Sequence, residues 1–467
     1  MGGDYKGHHV FAGAAGPVRS LTHDELAQYT GEKPEILLSW REAGIIGSVS
    51  DDNFTTNDVG RARLVHELLH YGHTLDEIGV AFRQPDAVLQ HYLEGMSQQL
   101  TRPMYSVPEA AEIVGLELEE LRRIVDATGM CEGGDMLDED DLLCLRSCAV
   151  AINAGYPPDA LLQILRVYAD AMRRAAEVSQ RTSHFYLHQQ MQDNSVESFD
   201  RLNETFAKIE PLVEPALLYF FRKGAMKAAW EDMLMHLEEE AGLVEKSETP
   251  GQIRRAIMFV DLASFTPLAE AMGDLRAAAV LDRFGTMVRK AVQRCHGRIV
   301  KQIGDGFMIV FPECFSAVSC GLELEHVSST EPQFPAVRIG LHWGMLLYRE
   351  GDYVGSNVNI AARLADEAHR HQFIVTDEVR RRAKAYEGVD FVRIGRRRLK
   401  GLAAEVELFE AKAVGPEGDE RVIDPVCGME MGQAEVAARL SVDGREHAFC
   451  SDDCLKKFVK SPKSYTR

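Results

Sequence analysis

The spacing of apolar residues changes along the chain near residue 250. Between about residues 21 and 245, leucine, isoleucine, phenylalanine and tryptophan recur every three or four positions, a spacing that predicts helices. Beyond that point, strand-like apolar runs alternate with helical patterns; the runs lie at 256–260, 307–311 and 373–376, and the helical patterns at 275–295, 312–328 and 356–369. The chain therefore predicts an all-α first half and a second half with an α+β fold.

The first half contains an internal repeat. Asp58 and Gly72 are followed by Asp141 and Gly155, each 83 residues later, and a helical pattern ends at the glycine in both copies. This constant offset predicts a duplicated unit of short helices. The second copy begins at 105–111 with a Ser-Val-Pro helix start and resembles the helix-turn-helix of MerR-type regulators, so DNA binding and a helical interaction domain of the same shape remain alternatives.

The charge of the first half distinguishes DNA binding from a helical interaction domain. The chain has a net charge of −20, and residues 1–250 hold 42 acidic against 21 basic side chains. Because phosphate contact requires a basic surface, this balance argues against a nucleic-acid partner. The longest apolar runs are shorter than a membrane span. The chain has nine cysteines, an odd number, and no pattern of a secretion signal. We therefore expect reduced thiols in a cytoplasmic protein. We also expect that it does not enter the membrane.

Composition also marks the expected domain boundaries. A glycine- and alanine-rich stretch predicts a disordered lead-in, and a Ser-Glu-Thr-Pro-Gly stretch before 252 predicts a linker. We expect the helices after residue 195 to pack against the rest of the helical half. The predicted segments are a lead-in (1–20), a duplicated helical domain (21–195), a helical linker (196–250), an α+β domain (251–413), a short linker (414–420) and a C-terminal module (421–467).

Two carboxylates stand at strand ends in the second half. Asp261 closes the apolar run 256–260, and Asp305 lies in a Gly-Asp-Gly turn between two strand patterns, which predicts a hairpin. Carboxylates brought to one edge of a sheet can hold hard divalent cations. Such a site can clamp a nucleotide triphosphate and activate a hydroxyl group.

Five motifs around these residues occur in a fixed order along the chain. They are Phe-Val-Asp-Leu at 259–262, Lys-Gln-Ile-Gly-Asp-Gly at 301–306, Val-Arg-Ile-Gly at 337–340, Asp-Tyr-Val-Gly at 352–355 and Val-Asn-Ile-Ala-Ala-Arg at 358–363. This set resembles the catalytic domain of class III adenylyl/guanylyl cyclases. The resemblance implies a ferredoxin-like α+β fold.

The resemblance also implies roles for individual residues. Asp261 and Asp305 match the ligands of two Mg²⁺ or Mn²⁺ ions, and Asn359 and Arg363, which are four apart on a helix, match a transition-state pair. The positions that match triphosphate contacts are Arg338 and Lys400. The family implies a homodimer through the cyclase domain, with each site shared between two copies.

The residues that would read the base favour ATP. Lys301 can donate to a ring nitrogen, and Asp352 can accept from the exocyclic amine of adenine but would repel the oxygen of guanine. Three other functions remain open: a guanylate cyclase, a catalytically silent ATP-binding scaffold and a nucleotide-dependent DNA-binding regulator.

The C-terminal module has its own cysteine pattern. Cys427 lies in Asp-Pro-Val-Cys-Gly-Met, and Cys450 and Cys454 are four residues apart. This segment resembles a YHS domain, a small treble-clef-like module. Three thiolates suit zinc or a copper-type ion, with His447 as the candidate fourth ligand; the alternative is a metal-free fold with reduced cysteines.

The helical half resembles the N-terminal regulatory region of actinobacterial class III cyclases, including pH-responsive mycobacterial ones. This resemblance rests on the repeat layout and on short matches such as 61–65. Three histidines on one helical stretch, His66, His70 and His73, titrate near neutral pH in general. A pH switch is therefore one hypothesis for the input, and a small apolar ligand is another.

Overall fold

The computed structural model describes residues 19–47, 53–83, 103–131, 136–187, 204–205, 207–243, 249–402, 404–414 and 421–465. The chain divides into two compact units, Met1–Glu245 and Lys246–Arg467. Nearly all of the predicted lead-in, most of the linker at 414–420 and the predicted helix between 188 and 203 lie outside the described residues. None of the described helices is both long and apolar enough to cross a membrane.

The two predicted copies in the first unit contain the same order of elements. The first copy contains β1 (Ser20–Leu21), α1 (His23–Thr30), α2 (Pro34–Glu42), β2 (Phe54–Thr55), α3 (Thr56–His70) and α4 (Leu75–Arg83). The second contains β3 (Tyr105–Ser106), α5 (Val107–Val114), α6 (Leu118–Thr128), β4 (Met136–Leu137), α7 (Glu139–Asn153) and α8 (Pro158–Leu187). Helices α3 and α7 both have 15 residues, and Asp58 and Asp141 cap them in the same way.

Helix α9 (Val213–Glu240) closes the described part of this unit and has no buried residue. This exposure is at odds with the expectation that the helix packs against the rest of the helical half. Its Phe221 ring does contact Tyr168 of α8 edge to face, with the ring centroids 5.9 Å apart. Apolar residues stand on every side of α9 and include Leu217, Phe220 and Trp230, all exposed. The helix therefore has no single apolar face that one neighbouring helix could cover.

A twisted sheet forms the centre of the second unit. Its strands are β5 (Gln252–Leu262), β6 (Arg298–Ile303), β7 (Gly306–Phe311), β8 (Val337–Arg349), β9 (Asp352–Val354), β10 (Gln372–Thr376), β11 (Val389–Arg397) and β12 (Val406–Ala413). The order is β11-β12-β10-β8-β5-β7-β6, and β9 pairs with β8. The helices are α10 (Phe265–Met272), α11 (Asp274–Arg294), α12 (Cys314–Thr330), α13 (Ser356–Glu367) and α14 (Asp377–Arg382).

The two faces of the sheet pack against different helices. Alternate residues of β5 such as Met258 and Val260 join the main core with α11 and α12, whereas Ile257 and Phe259 belong to a smaller cluster that includes α13. Because side chains alternate along a strand, Asp261 shares the face of Ile257 and Phe259. In the register, Asp261 stands opposite Arg338 on β8 and Gly306 on β7.

The C-terminal module contains β13 (Val422–Ile423), β14 (Glu430–Met431), β15 (Ala438–Val442), β16 (Arg445–Phe449) and α15 (Asp452–Lys460). Its buried residues, among them Met429, Met431 and Phe458, belong to the same apolar cluster as the core of the sheet. A backbone bridge between Phe334 and Glu430 also joins the two parts. The module is therefore packed onto the sheet and shares its core.

Candidate active site and cysteine cluster

Asp261 and Asp305 lie together at one edge of the sheet. The turn between β6 and β7 carries Asp305, and Gly306 keeps the turn close to β5, because a Cβ atom at this position would be 3.3 Å from Asp261 Oδ1. Arg338 of β8 forms an ion pair with Asp261. Burial and then the charge of Asp261 raise the pKa of Asp305 to about 6.

This arrangement fits hard divalent cations. The charge of Asp261 and a side-chain hydrogen bond to it are among the causes of the raised pKa of Asp305, so the two carboxyl groups lie close together. Oxygen ligands of this kind are preferred by Mg²⁺ and Mn²⁺. Asp261 and Asp305 would hold the ions, and Arg338 positions Asp261 through its ion pair.

Lys301 and Asp352 form a second polar pair. Lys301 lies on the edge strand β6, Asp352 begins β9, and the lysine ammonium donates a hydrogen bond to Asp352 Oδ2. The other carboxylate oxygen accepts from the backbone N–H of Tyr353 at 2.8 Å. Both side chains are partly exposed, so a flat polar ligand can reach them. The structure thus brings together the two residues expected to read the base.

Helix α13 carries Asn359 and Arg363 on one face. Asn359 is exposed, and Arg363 pairs with Asp366 at 2.6 Å. Lys400 is exposed in the turn after β11, next to Leu399, whose buried side chain joins a cluster that contains residues of α13. Besides the Lys301–Asp352 pair, the predicted site residues form two groups: Asp261, Asp305 and Arg338 at the strand ends, and Asn359 and Arg363 on α13 with the neighbouring Lys400 turn.

Four residues of the C-terminal module form a compact cluster. The Sγ atoms of Cys427 and Cys450 are 3.5 Å apart, and those of Cys450 and Cys454 are 3.7 Å apart. Asp424 contributes a carboxylate oxygen, and all four ligand atoms lie within 4.8 Å of one another. The fourth position, predicted for His447, is thus filled by Asp424.

The positions of His447 and Asp424 explain this correction. The His447 ring packs on Phe458 with centroids 4.9 Å apart, outside the cluster. Asp424 is fully buried and accepts hydrogen bonds from the backbone N–H groups of Val426 and Cys450, each at 2.8 Å. Sequence reasoning missed Asp424, although a carboxylate three residues before a cysteine in a turn was a visible signal.

Three segments of the chain match known protein families. Residues 251–411 match the family model of the adenylate and guanylate cyclase catalytic domain. These residues are similar to the catalytic domain of class III cyclases. Residues 422–467 match the model of the YHS domain, and residues 54–219 match the adenylate cyclase regulatory domain. The three resemblances stated from the motifs are confirmed.

Relatives extend the similarity beyond the cyclase domain. The pH-sensitive adenylate cyclase of Mycobacterium tuberculosis is 28% identical over 365 residues, which cover 75% of this chain and 88% of that protein. An adenylate cyclase of Glutamicibacter nicotianae is 26% identical and covers 62% of this chain and 72% of its own. The crystal structure of the adenylyl cyclase CyaB from P. aeruginosa is 19% identical, with a TM-score of 0.32, and covers 36% of this chain and 98% of that one.

Arg370 links the YHS domain to the cyclase domain, a role that sequence reasoning missed. Its Nε donates to Glu430 Oε1 at 2.8 Å, one Nη to the carbonyl oxygen of Gly428 at 2.5 Å, and the other to Ser264 Oγ at 3.1 Å. His371 hydrogen-bonds the other oxygen of Glu430 at 2.6 Å. No motif pointed to these residues, because each contact is distant in sequence.

His371 is held in its charged form. Burial alone would lower its pKa, but hydrogen bonds and charges of Glu325 and Glu430 outweigh burial and raise the pKa of His371 to about 9. Burial would raise the pKa of Glu430, whereas His371 and Arg370 lower it below its usual range. The two opposite charges therefore stabilise each other at the boundary between the cyclase and YHS domains.

Proposed function

We propose that this protein is an adenylate cyclase that converts ATP to 3′,5′-cyclic AMP and pyrophosphate at the interface of a homodimer. The pairing of Lys301 with Asp352 carries the choice of ATP. A lysine donor and a carboxylate acceptor match the ring nitrogen and the exocyclic amine of adenine. Guanine would place an oxygen against the carboxylate.

In the proposed reaction, the ribose 3′-oxygen bonds to the α-phosphorus and the bond to the pyrophosphate oxygen breaks. Asp261 and Asp305 would hold Mg²⁺ or Mn²⁺, which supply charge stabilisation for the triphosphate and lower the pKa of the attacking hydroxyl. Arg363 is suited to charge that develops on the α-phosphate, and Asn359 to orienting the ribose. Arg338 and Lys400 are proposed to bind the triphosphate.

The two groups of residues support a site shared between two copies. The strand-end group holds the metal-binding carboxylates, and α13 holds the residues for the reacting ribose and phosphate. In a symmetric dimer, the strand-end group of one copy would face α13 of its partner and generate two equivalent sites.

The decisive experiment is cyclic nucleotide formation by the full-length protein with manganese and either ATP or GTP. We expect cyclic AMP as the main product and a loss of about 100-fold or more in Asp305→Asn, because one metal-binding carboxylate is removed. Asp390→Asn, at an exposed position of β11, is the matched control and should retain the activity.

Other outcomes favour the alternatives. Cyclic GMP as the main product would make the protein a guanylate cyclase, and tight ATP binding without product would favour a silent scaffold. Sequence-specific DNA retention at moderate salt, together with no cyclase activity, would favour the DNA-binding regulator.

We also propose that the helical half controls the cyclase domain. It precedes the catalytic unit in the chain, and His66 within it hydrogen-bonds Glu32 at 2.6 Å. Comparing the full-length protein with a fragment that begins at Lys246 separates two roles: a faster fragment indicates restraint, and a silent fragment indicates assembly. A constant activity ratio between about pH 6 and pH 8 would contradict the pH hypothesis.

A further inference from the structure

The thiol spacing in the YHS domain is that of a metal site. Two thiolates bound to one tetrahedral zinc at about 2.3 Å are separated by roughly 3.8 Å, whereas a disulfide requires about 2.05 Å. The distances of 3.5 Å and 3.7 Å across Cys450 agree with the first value.

Asp424 completes a four-ligand set and fixes its geometry. Its oxygens accept from the backbone N–H groups of Val426 and Cys450, so the carboxylate orients the backbone on both sides of the cluster. Oδ1 also accepts from the backbone N–H of Cys427 at 3.4 Å, so Oδ2, which accepts from Cys450 alone, is the oxygen that keeps a lone pair for an ion. A fully buried carboxylate beside three thiols is better accommodated with a cation than without one.

The loop that carries Cys427 touches the catalytic edge of the cyclase domain. Gly428 follows Cys427 with φ +72°, and a Cβ atom there would lie 3.0 Å from the Cβ of Ser264. Arg370 holds Gly428 and Ser264 at the same time. Ser264, itself at φ +66°, is three residues from Asp261 and precedes α10.

The rest of the YHS domain is fixed to the cyclase domain. Arg421 donates to the carbonyl oxygens of Ser329 and Glu331, and Lys457 donates to that of Ala271 at 2.5 Å. Phe449 and Phe458 belong to the shared core. A change at the cluster therefore acts on the loop around Gly428 while its surroundings stay in place.

We propose that Asp424, Cys427, Cys450 and Cys454 bind one thiophilic divalent cation such as Zn²⁺, and that its binding stabilises the catalytic Asp261 edge through Gly428, Arg370 and Ser264. Arg370 is a positioning residue in this scheme. The coupling rests on the proposed cyclase function, whereas the metal site does not.

The coupling has a defined direction. A bound cation fixes Cys427, so the Gly428 carbonyl holds Arg370, and Arg370 holds the Ser264 turn. Because this turn follows the strand that ends near Asp261, the ordered turn should mainly improve binding of the metal–nucleotide substrate. We expect the KM for manganese-ATP to fall about fivefold on zinc loading, the lower end of usual couplings between sites, with a smaller change in kcat.

The first test measures zinc itself. Full-length protein freed of metal by a chelator and titrated with Zn²⁺ should bind one equivalent per chain, measured by native mass spectrometry. Cys454→Ser and Asp424→Ala should lose this equivalent or bind it at least tenfold more weakly, whereas Cys144→Ser, at an exposed cysteine outside the cluster, should retain it. No bound zinc in the wild type, or equal binding in Cys454→Ser, would overturn the metal site.

The second test measures the coupling. Arg370→Gln should bind zinc normally but lose the effect of zinc on KM, and Arg370→Lys should restore part of it. The variant with all three cluster cysteines changed to serine reports any direct effect of zinc at the catalytic site. A zinc-loaded wild type with the KM of the metal-free protein would overturn the coupling.

Hydrogen exchange keeps the two proposals distinguishable. Zinc should slow amide exchange in the segment 262–266 of the wild type and leave it unchanged in Arg370→Gln, whether or not the enzyme turns over. Absence of activity in both metal-free and loaded protein contradicts the cyclase proposal. Unchanged exchange at 262–266 with zinc bound contradicts the coupling alone.

Discussion

At the scale of single residues, we propose that Lys301 and Asp352 determine which base the cyclase domain accepts. Changing them to Lys301→Glu and Asp352→Cys in one protein gives an acceptor for the ring N–H of guanine and removes the charge that repels its oxygen. We expect the ratio of kcat/KM for ATP to that for GTP to fall by about 100-fold or more, because the changed pair matches the hydrogen-bonding groups of guanine and mismatches those of adenine. Product analysis with each nucleotide measures this ratio.

The control for this exchange is Lys384→Glu, which makes the same charge change at an exposed position. It should leave the ATP preference intact. A double variant that loses activity with ATP but keeps the same ratio would mean that the pair supports structure and does not read the base.

His371 predicts a pH dependence of stability. Its pKa is about 9 in the folded protein, above the usual 6.5 or so of an unfolded chain. The ion pairs of His371 with Glu325 and Glu430, beside Arg370, therefore contribute fully below about pH 6.5 and are lost as the pH rises through about 9. The contribution is roughly 2–3 kcal/mol. As the pH rises from about 6.5 to about 9, the melting temperature of the wild type should therefore approach that of His371→Gln.

Melting curves of both proteins from about pH 6 to pH 10 test this window. His369→Gln, at the exposed histidine two residues earlier, should follow the wild type at every pH. A difference between wild type and His371→Gln that stays constant across the window would show that His371 acts through packing and not through its charge.

The ligands of the cysteine cluster were predictable only in part. Cys427, Cys450 and Cys454 were recognisable because their spacing is a local pattern. His447 was chosen as the fourth ligand by residue type alone, but its strand places the ring on Phe458. The choice between His447 and Asp424 depends on tertiary packing, which a local pattern does not contain.

At the scale of elements, the position of α13 depends on glycine residues in β8. A Cβ atom on Gly340 would be 2.3 Å from the backbone nitrogen of Ala365 and 2.6 Å from the carbonyl oxygen of Ala361. Because these atoms are backbone, Gly340→Ala must displace the helix that carries Asn359 and Arg363. We expect destabilisation of about 1–3 kcal/mol and a loss of about tenfold or more in kcat, since small displacements of reacting groups are costly.

Gly224→Ala in α9 is the matched control. A Cβ atom there meets nothing within 4 Å, so this variant should keep its activity and gain up to about 1 kcal/mol of helix stability. Thermal unfolding and kcat are measured for both variants. Full activity in Gly340→Ala would show that the catalytic residues tolerate a shift of α13.

The elements themselves were largely predictable. The repeat at a constant offset predicted α3 and α7 because helix caps and terminal glycines are local signals. The exposure of α9 was not predictable, because its apolar residues show a helical spacing but do not say what covers them.

At the scale of the whole molecule, the shared core of the cyclase and YHS domains was not anticipated. The linker composition around 414–420 predicted a separate C-terminal module, yet Met429, Met431 and Phe449 pack into the cyclase core. The contacts of Arg370 and Arg421 join residues that are 58 to 92 positions apart. Such long-range pairs leave no periodic trace in a single sequence.

The proposed dimer predicts rescue between inactive variants. Asp305→Ala removes a metal-binding carboxylate, and Arg363→Ala removes the guanidinium of α13, so each variant alone should be inactive. If the site is shared, half of the dimers in an equal mixture combine the two variants, and each has one intact site. The mixture should therefore recover about a quarter of the wild-type activity, measured as cyclic AMP formation after subunit exchange.

A mixture of Asp305→Ala with Asp261→Ala is the matched control for this rescue. Both changes fall in the strand-end group, so every dimer lacks an intact metal-binding half and the mixture should stay inactive. Equal activity in the two mixtures would contradict the shared site, because rescue would then not depend on which group each change removes. A silent first mixture whose components bind nucleotide and dimerise would place both groups of one working site on the same copy.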